Sequence, residues 1–278
     1  PITRVPKVKV GVVGEIYVKY SPLGNNDLEK FLESQDCEVN LPGLMGFVEY
    51  CVANYKLDID LYGGKPTVMG VHLVAEANRL AYADRNKYIA DTDFVSLPGG
   101  SWDAMLHKAY LRSRADLISF SSSLGTAQPG NLGAVPLGTG VQPAEAGTTH
   151  MTIVDKWGNV VSMTTTVESG FGAWRMVRGF ILNNQLTDFS AAPADGAGVP
   201  IANRVQPGKR PRSSMAPTLV FEQADDGSAG DLVMATGSPG GGNIIQYVVK
   251  TVVGVLDWGL DAQQATSMMN FGSSNGPT

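Results

Sequence analysis

Residues 147–166, GTTHMTIVDKWGNVVSMTTT, decide how this chain is read. Two runs rich in Val, Ile and Thr, Thr148–Val154 and Asn159–Thr166, flank Asp155-Lys156-Trp157-Gly158-Asn159, the composition of a turn between antiparallel strands. If Asp155 sits opposite Asn159, Thr148 falls opposite Thr166. Directly opposed residues hold their Cβ atoms roughly 4.5–5.5 Å apart on one face. A slip of one residue would send the two hydroxyls to opposite faces. A Gly/Pro-rich stretch, Leu124–Gly147, ends where the first strand begins, so a hydroxyl nucleophile stands at the seam. Attack of the Thr148 hydroxyl on the Gly147 carbonyl would move the chain from nitrogen to oxygen, and hydrolysis would leave Thr148 as a new N-terminus. The freed amine, with an ordinary pKa of about 7.7–8.0, can serve as base for its own hydroxyl. Gly-Thr-Thr entering a sheet is equally an ordinary turn. His150 lies on the same strand face but has no task in this chemistry, and reads as structural.

Residues 148–190, together with KRPRSSMAPT (209–218) and GSPGG (237–241), resemble the small subunit of γ-glutamyltransferases, and HLVAEANRLAYADRNKYIADTDF (72–94) is similar to the late large-subunit helix of that family. The resemblance covers about residues 66–278. It implies an N-terminal-nucleophile hydrolase, an α+β fold built as an αββα sandwich, here incomplete. It implies cleavage between Gly147 and Thr148, with Thr148 as nucleophile and Thr166 as its hydroxyl partner. Gln185 and Asp188, in NNQLTD, would grip a substrate α-amino group. An amide and a carboxylate suit an ammonium, which offers only donors. Ser213 and Ser214 would bond the α-carboxylate, and the Gly240 and Gly241 amides would form an oxyanion hole. A Gly turn opening a helix aims unpaired N–H groups outward. Glu168 stands where the family has an Asn contacting the α-amino group. A carboxylate there binds an ammonium or alters specificity. Each segment has a plainer reading: a strand-edge turn at Ser213-Ser214, loop punctuation at Asn183-Asn184, a βα connection at Gly237–Gly241. A phosphate loop fails, because no Gly-Lys-Ser/Thr follows.

The implied reaction passes a γ-glutamyl group from a glutathione-like donor to water, an amino acid or a peptide through an acyl-enzyme. The processed halves would remain associated as a heterodimer, without metal or organic cofactor. A glutaryl-type acylase on the same scaffold and a non-catalytic chimeric fragment are the alternatives. The family's large subunit extends far upstream and supplies an Arg for the α-carboxylate, and its small subunit continues past residue 278, so the resemblance implies a shortened enclosure. Relatives are commonly periplasmic or extracellular. The resemblance places the stretch Ala191–Gln206 where some members carry a loop that covers the pocket, and its Ala, Pro and Gly content reads as a mobile loop.

Residues 1–64 read differently. VKVGVVGEIYVKYSPLGNNDLEKFLESQDCEVNLPGLMGFVEYCV resembles a segment of the 2-hydroxyacyl-CoA dehydratase family and its activase-related proteins. Its pattern is a small α/β unit: strand Lys7–Val13, helix near Asn26–Ser34, strand Glu38–Leu41, helix near Phe47–Tyr55. Gly63-Gly64-Lys65-Pro66 marks the seam, and the basic residues shift from Lys before it to Arg after it. The expected organisation is therefore 1–64, then 65–147 as a large-subunit-like region with an exposed lead-in, then 148–278 as the catalytic region. Cys37 and Cys51 match no metal-ligand spacing. They read as spectator thiols, with a disulfide between them left open. A net charge of −5 and a pI near 5.2 argue against nucleic-acid or anionic-membrane partners. No apolar run reaches the roughly 18 residues of a membrane span. Helices are expected near Gly70–Ile89 and Trp102–Ser119 and from Asn243 and Asp261. Strands are expected near Arg178–Leu182, Thr218–Phe221 and Leu232–Ala235.

Overall fold

The structure, a computed structural model, describes residues 8–11, 28–35, 37–40, 67–133, 136–140 and 147–276. Strands β1 (Val8–Gly11) and β2 (Cys37–Asn40) pair in parallel, with α1 (Leu28–Ser34) between them in sequence. That is the expected order of strand, helix and strand, with β2 beginning one residue earlier than expected. The helix expected at Phe47–Tyr55, and Cys51 with it, lie outside the described residues.

Helix α2 (Val68–Tyr88) starts where Thr67 accepts from the Gly70 N–H at 3.0 Å, a side-chain N-cap. Its buried face is only partly apolar. Leu80 and Ala83 pack with Ala127, Ile118 and Leu124, while Glu76, Asn78, Arg79, Tyr82 and Arg85 are buried beside them. Buried polar groups need partners, and α2 finds them in the segment that follows. The Glu76 carboxylate accepts from Arg79 Nε at 3.0 Å, Ser123 Oγ at 2.8 Å and the Leu124 N–H at 2.7 Å. Burial works to raise its pKa, but those bonds and the Arg79 charge outweigh it and leave the group below its ordinary value. Asp84 likewise accepts from Tyr110 Oη and the Gly130 N–H, both at 2.6 Å, and from Arg114 at 3.2 Å.

These bonds dock part of the lead-in expected to be exposed. Ala127, Gly130, Gly138 and Gly140 are buried, and the Gly140 N–H donates to the Asn86 carbonyl at 3.1 Å. The single helix expected over Trp102–Ser119 is two, α3 (Asp103–Leu106) and α4 (Lys108–Ala115). His107 breaks it: its backbone is extended, and its Nδ1 caps the Ala109 N–H at 3.3 Å.

Strands β3 (Thr148–Val154) and β4 (Val160–Thr166) form the expected hairpin, with Thr148 opposite Thr166 and Val154 opposite Val160. The turn sets this register. Asp155 Oδ1 accepts from the N–H groups of Trp157 at 2.9 Å and Asn159 at 2.8 Å, while Gly158 supplies the positive φ of 88°. The strand expected near Arg178–Leu182 is half of a two-residue ladder, β5 (Met176–Val177) with β6 (Phe180–Ile181). Arg178 and Gly179 both take positive φ between them, as a type I′ turn requires. Strands β7 (Thr218–Gln223) and β8 (Ala229–Thr236) pair antiparallel with two register shifts. Helix α5 (Ile244–Leu256) follows the Gly-rich loop, and α6 (Ala262–Ser267) opens on a capping box between Asp261 and Gln264. Among the described residues the strands pair two by two, an α+β arrangement.

Candidate active site

The end of the β3–β4 hairpin brings four polar groups together. Thr148 is 6% exposed and its Oγ1 donates to Thr166 Oγ1 at 3.0 Å. Thr166 Oγ1 donates in turn to the Gly147 carbonyl at 3.2 Å and accepts from the Glu168 N–H at 2.8 Å. The Val167 N–H donates to the same Gly147 carbonyl at 3.0 Å. Gly147 has no room for a side chain. A Cβ there would stand 2.9 Å from the carbonyl oxygens of both Glu168 and Ser169.

The chain leaves β4 through a strained residue. Glu168 takes a φ of 75°, uncommon for a residue with a Cβ, and is 1% exposed. Its Oε1 accepts from Thr187 Oγ1 at 3.3 Å. Asn184 bonds Ser169 twice, accepting from its N–H at 3.0 Å and donating to its Oγ at 2.9 Å. These contacts seat the short 3-10 helix Gln185–Asp188 against the hairpin exit. Within it Gln185 Nε2 donates to Asp188 Oδ2, and Asp188 is 1% exposed.

Asn203 joins this helix to the Ser213-Ser214 segment. It is fully buried, donates from Nδ2 to the Asp188 carbonyl at 2.7 Å, and accepts at Oδ1 from the Arg212 N–H at 2.9 Å. The stretch 191–206, read from composition as mobile, is therefore anchored at its buried residues Ile201, Ala202 and Asn203. The serine pair itself divides. Ser213 is exposed and borders a shallow cleft of about 280 Å³ with Asp91, Trp102 and Arg210. Ser214 is buried and accepts from Arg85 Nη2 at 2.6 Å. Beside it, Arg210 clamps Asp91 through Nε at 3.0 Å and Nη2 at 2.7 Å. The guanidinium holds that carboxyl well below the usual range.

The Gly loop reaches the hairpin through two contacts. Ser162 Oγ donates to the Thr236 carbonyl at 3.0 Å. The His150 ring lies where a Cβ on Gly237 would be. His150 bonds Thr164 Oγ1 at 2.8 Å and Thr152 Oγ1 at 3.2 Å, and burial lowers its pKa. Gly240 and Gly241 take φ of 139° and 55°, and Tyr247 packs where a Gly240 Cβ would sit. Gly240 is exposed, and Gly241 is buried at the start of the 3-10 turn that leads into α5. Tyr82 Oη donates to the Gly242 carbonyl.

Three residues absent from the sequence reading thus hold the site: Tyr82, Arg85 and Asn203. Tyr82 and Arg85 stand three apart on one face of α2, the former on the Gly loop and the latter on Ser214. Their only sequence trace is polar residues at helix positions that turn out to be buried. Among the described residues no group of three or more His, Cys, Asp or Glu is placed to hold a metal, and no helix is long and apolar enough to cross a membrane.

The family model described as Gamma-glutamyltranspeptidase matches residues 50–277, taking in residues 50–65 that the sequence reading had placed outside the resemblance. The chain is 40% identical over 230 residues to the glutathione hydrolase proenzyme of Escherichia coli, covering 78% of this chain and 36% of that protein. It is 40% identical over 203 residues to the corresponding proenzyme of Bacillus subtilis, covering 69% of this chain and 32% of that one. The chain thus spans about a third of the length of the curated relatives it matches. Among solved structures, the T380A mutant of Helicobacter pylori gamma-glutamyltranspeptidase aligns at 34% identity and a TM-score of 0.36, covering 42% of this chain and 62% of that one.

Proposed function

Because the chain belongs to the gamma-glutamyltranspeptidase family, we propose that it cleaves itself between Gly147 and Thr148 and then uses Thr148 to take a γ-glutamyl group from a glutathione-like donor. The observation that carries this reading is the buried contact of Thr148 Oγ1 with Thr166 Oγ1 at the cleavage seam. After cleavage the Thr148 amine serves as base for the hydroxyl beside it. The hydroxyl attacks the γ-carbonyl, an acyl-enzyme forms, and water, an amino acid or a peptide resolves it. The Gly240 and Gly241 amides face the developing oxyanion, donors that typically contribute about 3–4 kcal/mol each. Glu168, Gln185 and Asp188 receive the donor's α-ammonium, and Ser213 and Ser214 its α-carboxylate. The processed halves stay together as a heterodimer on an αββα sandwich.

A glutaryl-type acylase on the same scaffold is the alternative. Carboxylates at Glu168 and Asp188 suit an ammonium, which offers only donors, and a glutaryl group carries none, so the γ-glutamyl donor is the favoured reading. The test is intact-mass analysis of the purified chain and of Thr148→Ala, followed by anilide assays on cleaved protein. A new Thr148 terminus in the parent alone, with faster release from a γ-glutamyl than a glutaryl anilide, is the expected result. An uncut parent refutes self-processing, and a glutaryl preference moves the assignment to an acylase.

A further inference from the structure

The hydroxyl of Thr166 is at full hydrogen-bonding capacity, and that fixes the direction of every proton around the cleavage seam. A hydroxyl donates one bond and accepts two. The Glu168 N–H can only donate, so it occupies one acceptor position, at 2.8 Å. The Gly147 carbonyl can only accept, so it takes the single Thr166 proton, at 3.2 Å. The remaining contact, 3.0 Å from Thr148 Oγ1, must therefore run from Thr148 to Thr166. The nucleophile's proton points at Thr166, and the proton of Thr166 points at the oxygen of the bond to be broken.

We infer that Thr166 relays the proton of self-cleavage, taking it from the nucleophile while giving its own to the scissile carbonyl. This rests on the cleavage assigned above and concerns the precursor, before any free amine exists to act as base. Thr148 Oγ bonds to the Gly147 carbonyl carbon, and the carbonyl π pair moves onto its oxygen. That oxygen takes the Thr166 proton as Thr166 Oγ takes the Thr148 proton. The product is a neutral five-membered ring bearing a hydroxyl on the former carbonyl carbon, with Thr166 restored. The bond from that carbon to the Thr148 nitrogen then breaks, its pair stays on nitrogen, and the ring hydroxyl proton is transferred there as the carbonyl reforms within an ester. Water finally divides the ester, its hydroxyl going to the Gly147 carbon and its remaining hydrogen to Thr148 Oγ. No ionised group is consumed or produced until the last step.

Two further features suit this task. The Val167 N–H supports the same oxygen at 3.0 Å, sharing the charge that builds on it. The carbonyls of Glu168 and Ser169 close on Gly147 so tightly that only glycine fits, which holds its own carbonyl in aim. After cleavage the Gly147 carbonyl becomes a carboxylate free to leave, and the Thr166 proton is released to bond the mature nucleophile. One hydroxyl then serves both stages, with its proton turned around between them.

The experiment follows first-order cleavage by intact mass, using freshly synthesised full-length chain from cell-free translation. Parent, Thr166→Val and Thr166→Ser are compared between about pH 6 and 8. Positioned proton transfer typically contributes about 10²–10⁴-fold. Thr166→Val is therefore expected to cleave at least about 100-fold more slowly, and Thr166→Ser to stay within about 10-fold of the parent. The parental rate should be nearly flat with pH, and in mixed light and heavy water it should fall along a curve, as two moving protons require. Should Thr166→Val cleave at the parental rate, or the isotope plot be linear, the relay is overturned while Thr148 keeps its role. Should the parent itself stay whole, the cleavage reading beneath it fails first. If Thr166→Val does not fold, the serine variant and the isotope plot of the parent still decide.

Discussion

Arg85 shows how much a single buried charge can direct. Its guanidinium only donates, so Ser214 Oγ, which accepts from it at 2.6 Å, must send its own proton elsewhere. On the proposed reading that proton meets the donor α-carboxylate, with a permanent positive charge behind it. A hydrogen bond to a charged group is worth about 1.5–3 kcal/mol, or roughly 10- to 100-fold in binding. Arg85→Gln is accordingly expected to raise KM for a γ-glutamyl anilide by about 10- to 100-fold with kcat within about threefold. A donor lacking the α-carboxylate should not distinguish the variant from the parent. Initial-rate kinetics on cleaved protein decide this, and an unchanged KM would reduce Arg85 to a packing role. Glu168 belongs to the same scale. Its φ of 75° is backbone strain held by the contacts on either side of it, beside the nucleophile's partner.

At the scale of elements, β3 and the Gly loop meet at His150. The ring sits against Gly237 on one side and bonds hydroxyls of its own strand and of β4. Burial depresses its pKa below the ordinary value of 6.5. As pH falls through about 6.5 the unfolded chain takes up a proton that the native state resists. Stability is therefore fully present above that point and declines below it. The urea midpoint should fall between pH 7.5 and 5.5, and His150→Gln should flatten that part of the profile. A slope unchanged in His150→Gln would assign the effect to another group. The break at His107 is a second lesson at this scale. A helix pattern continued through it in sequence, but an imidazole able to cap Ala109 made a new start cheaper than an unbroken run.

For the whole molecule, burial is uneven. Polar contacts gather around α2 and the site, while Val161 and Met163 of β4, Leu219 and Phe221 of β7 and Val233 of β8 are exposed. Alternating apolar residues on a strand face ordinarily pack on a second layer, and contiguous exposed apolar surface attracts partners or aggregates. The isolated chain should bind the dye ANS in native buffer. Replacing Phe221 and Val233 by Thr should lower that fluorescence and raise soluble yield, with cleavage unaffected. Dye binding identical in parent and double variant would show that these faces are covered.

The hairpin register was legible in the sequence, because pairing Asp155 with Asn159 across a turn of Asp, Gly and Asn sets Thr148 opposite Thr166, the register the structure has. The family resemblance marked the Gly loop and the NNQLTD and serine segments, each of which has a plainer reading from its own residues. Only the tertiary structure decided that Tyr82, Arg85 and Asn203 lie behind these segments. A polar side chain on a helix or loop reads as a solvated one until its partners, more than a hundred residues away for Arg85 and Tyr82, are placed around it. Burial of polar groups is a property of the folded whole, set by desolvation and compensated by distant donors and acceptors. No local pattern carries it.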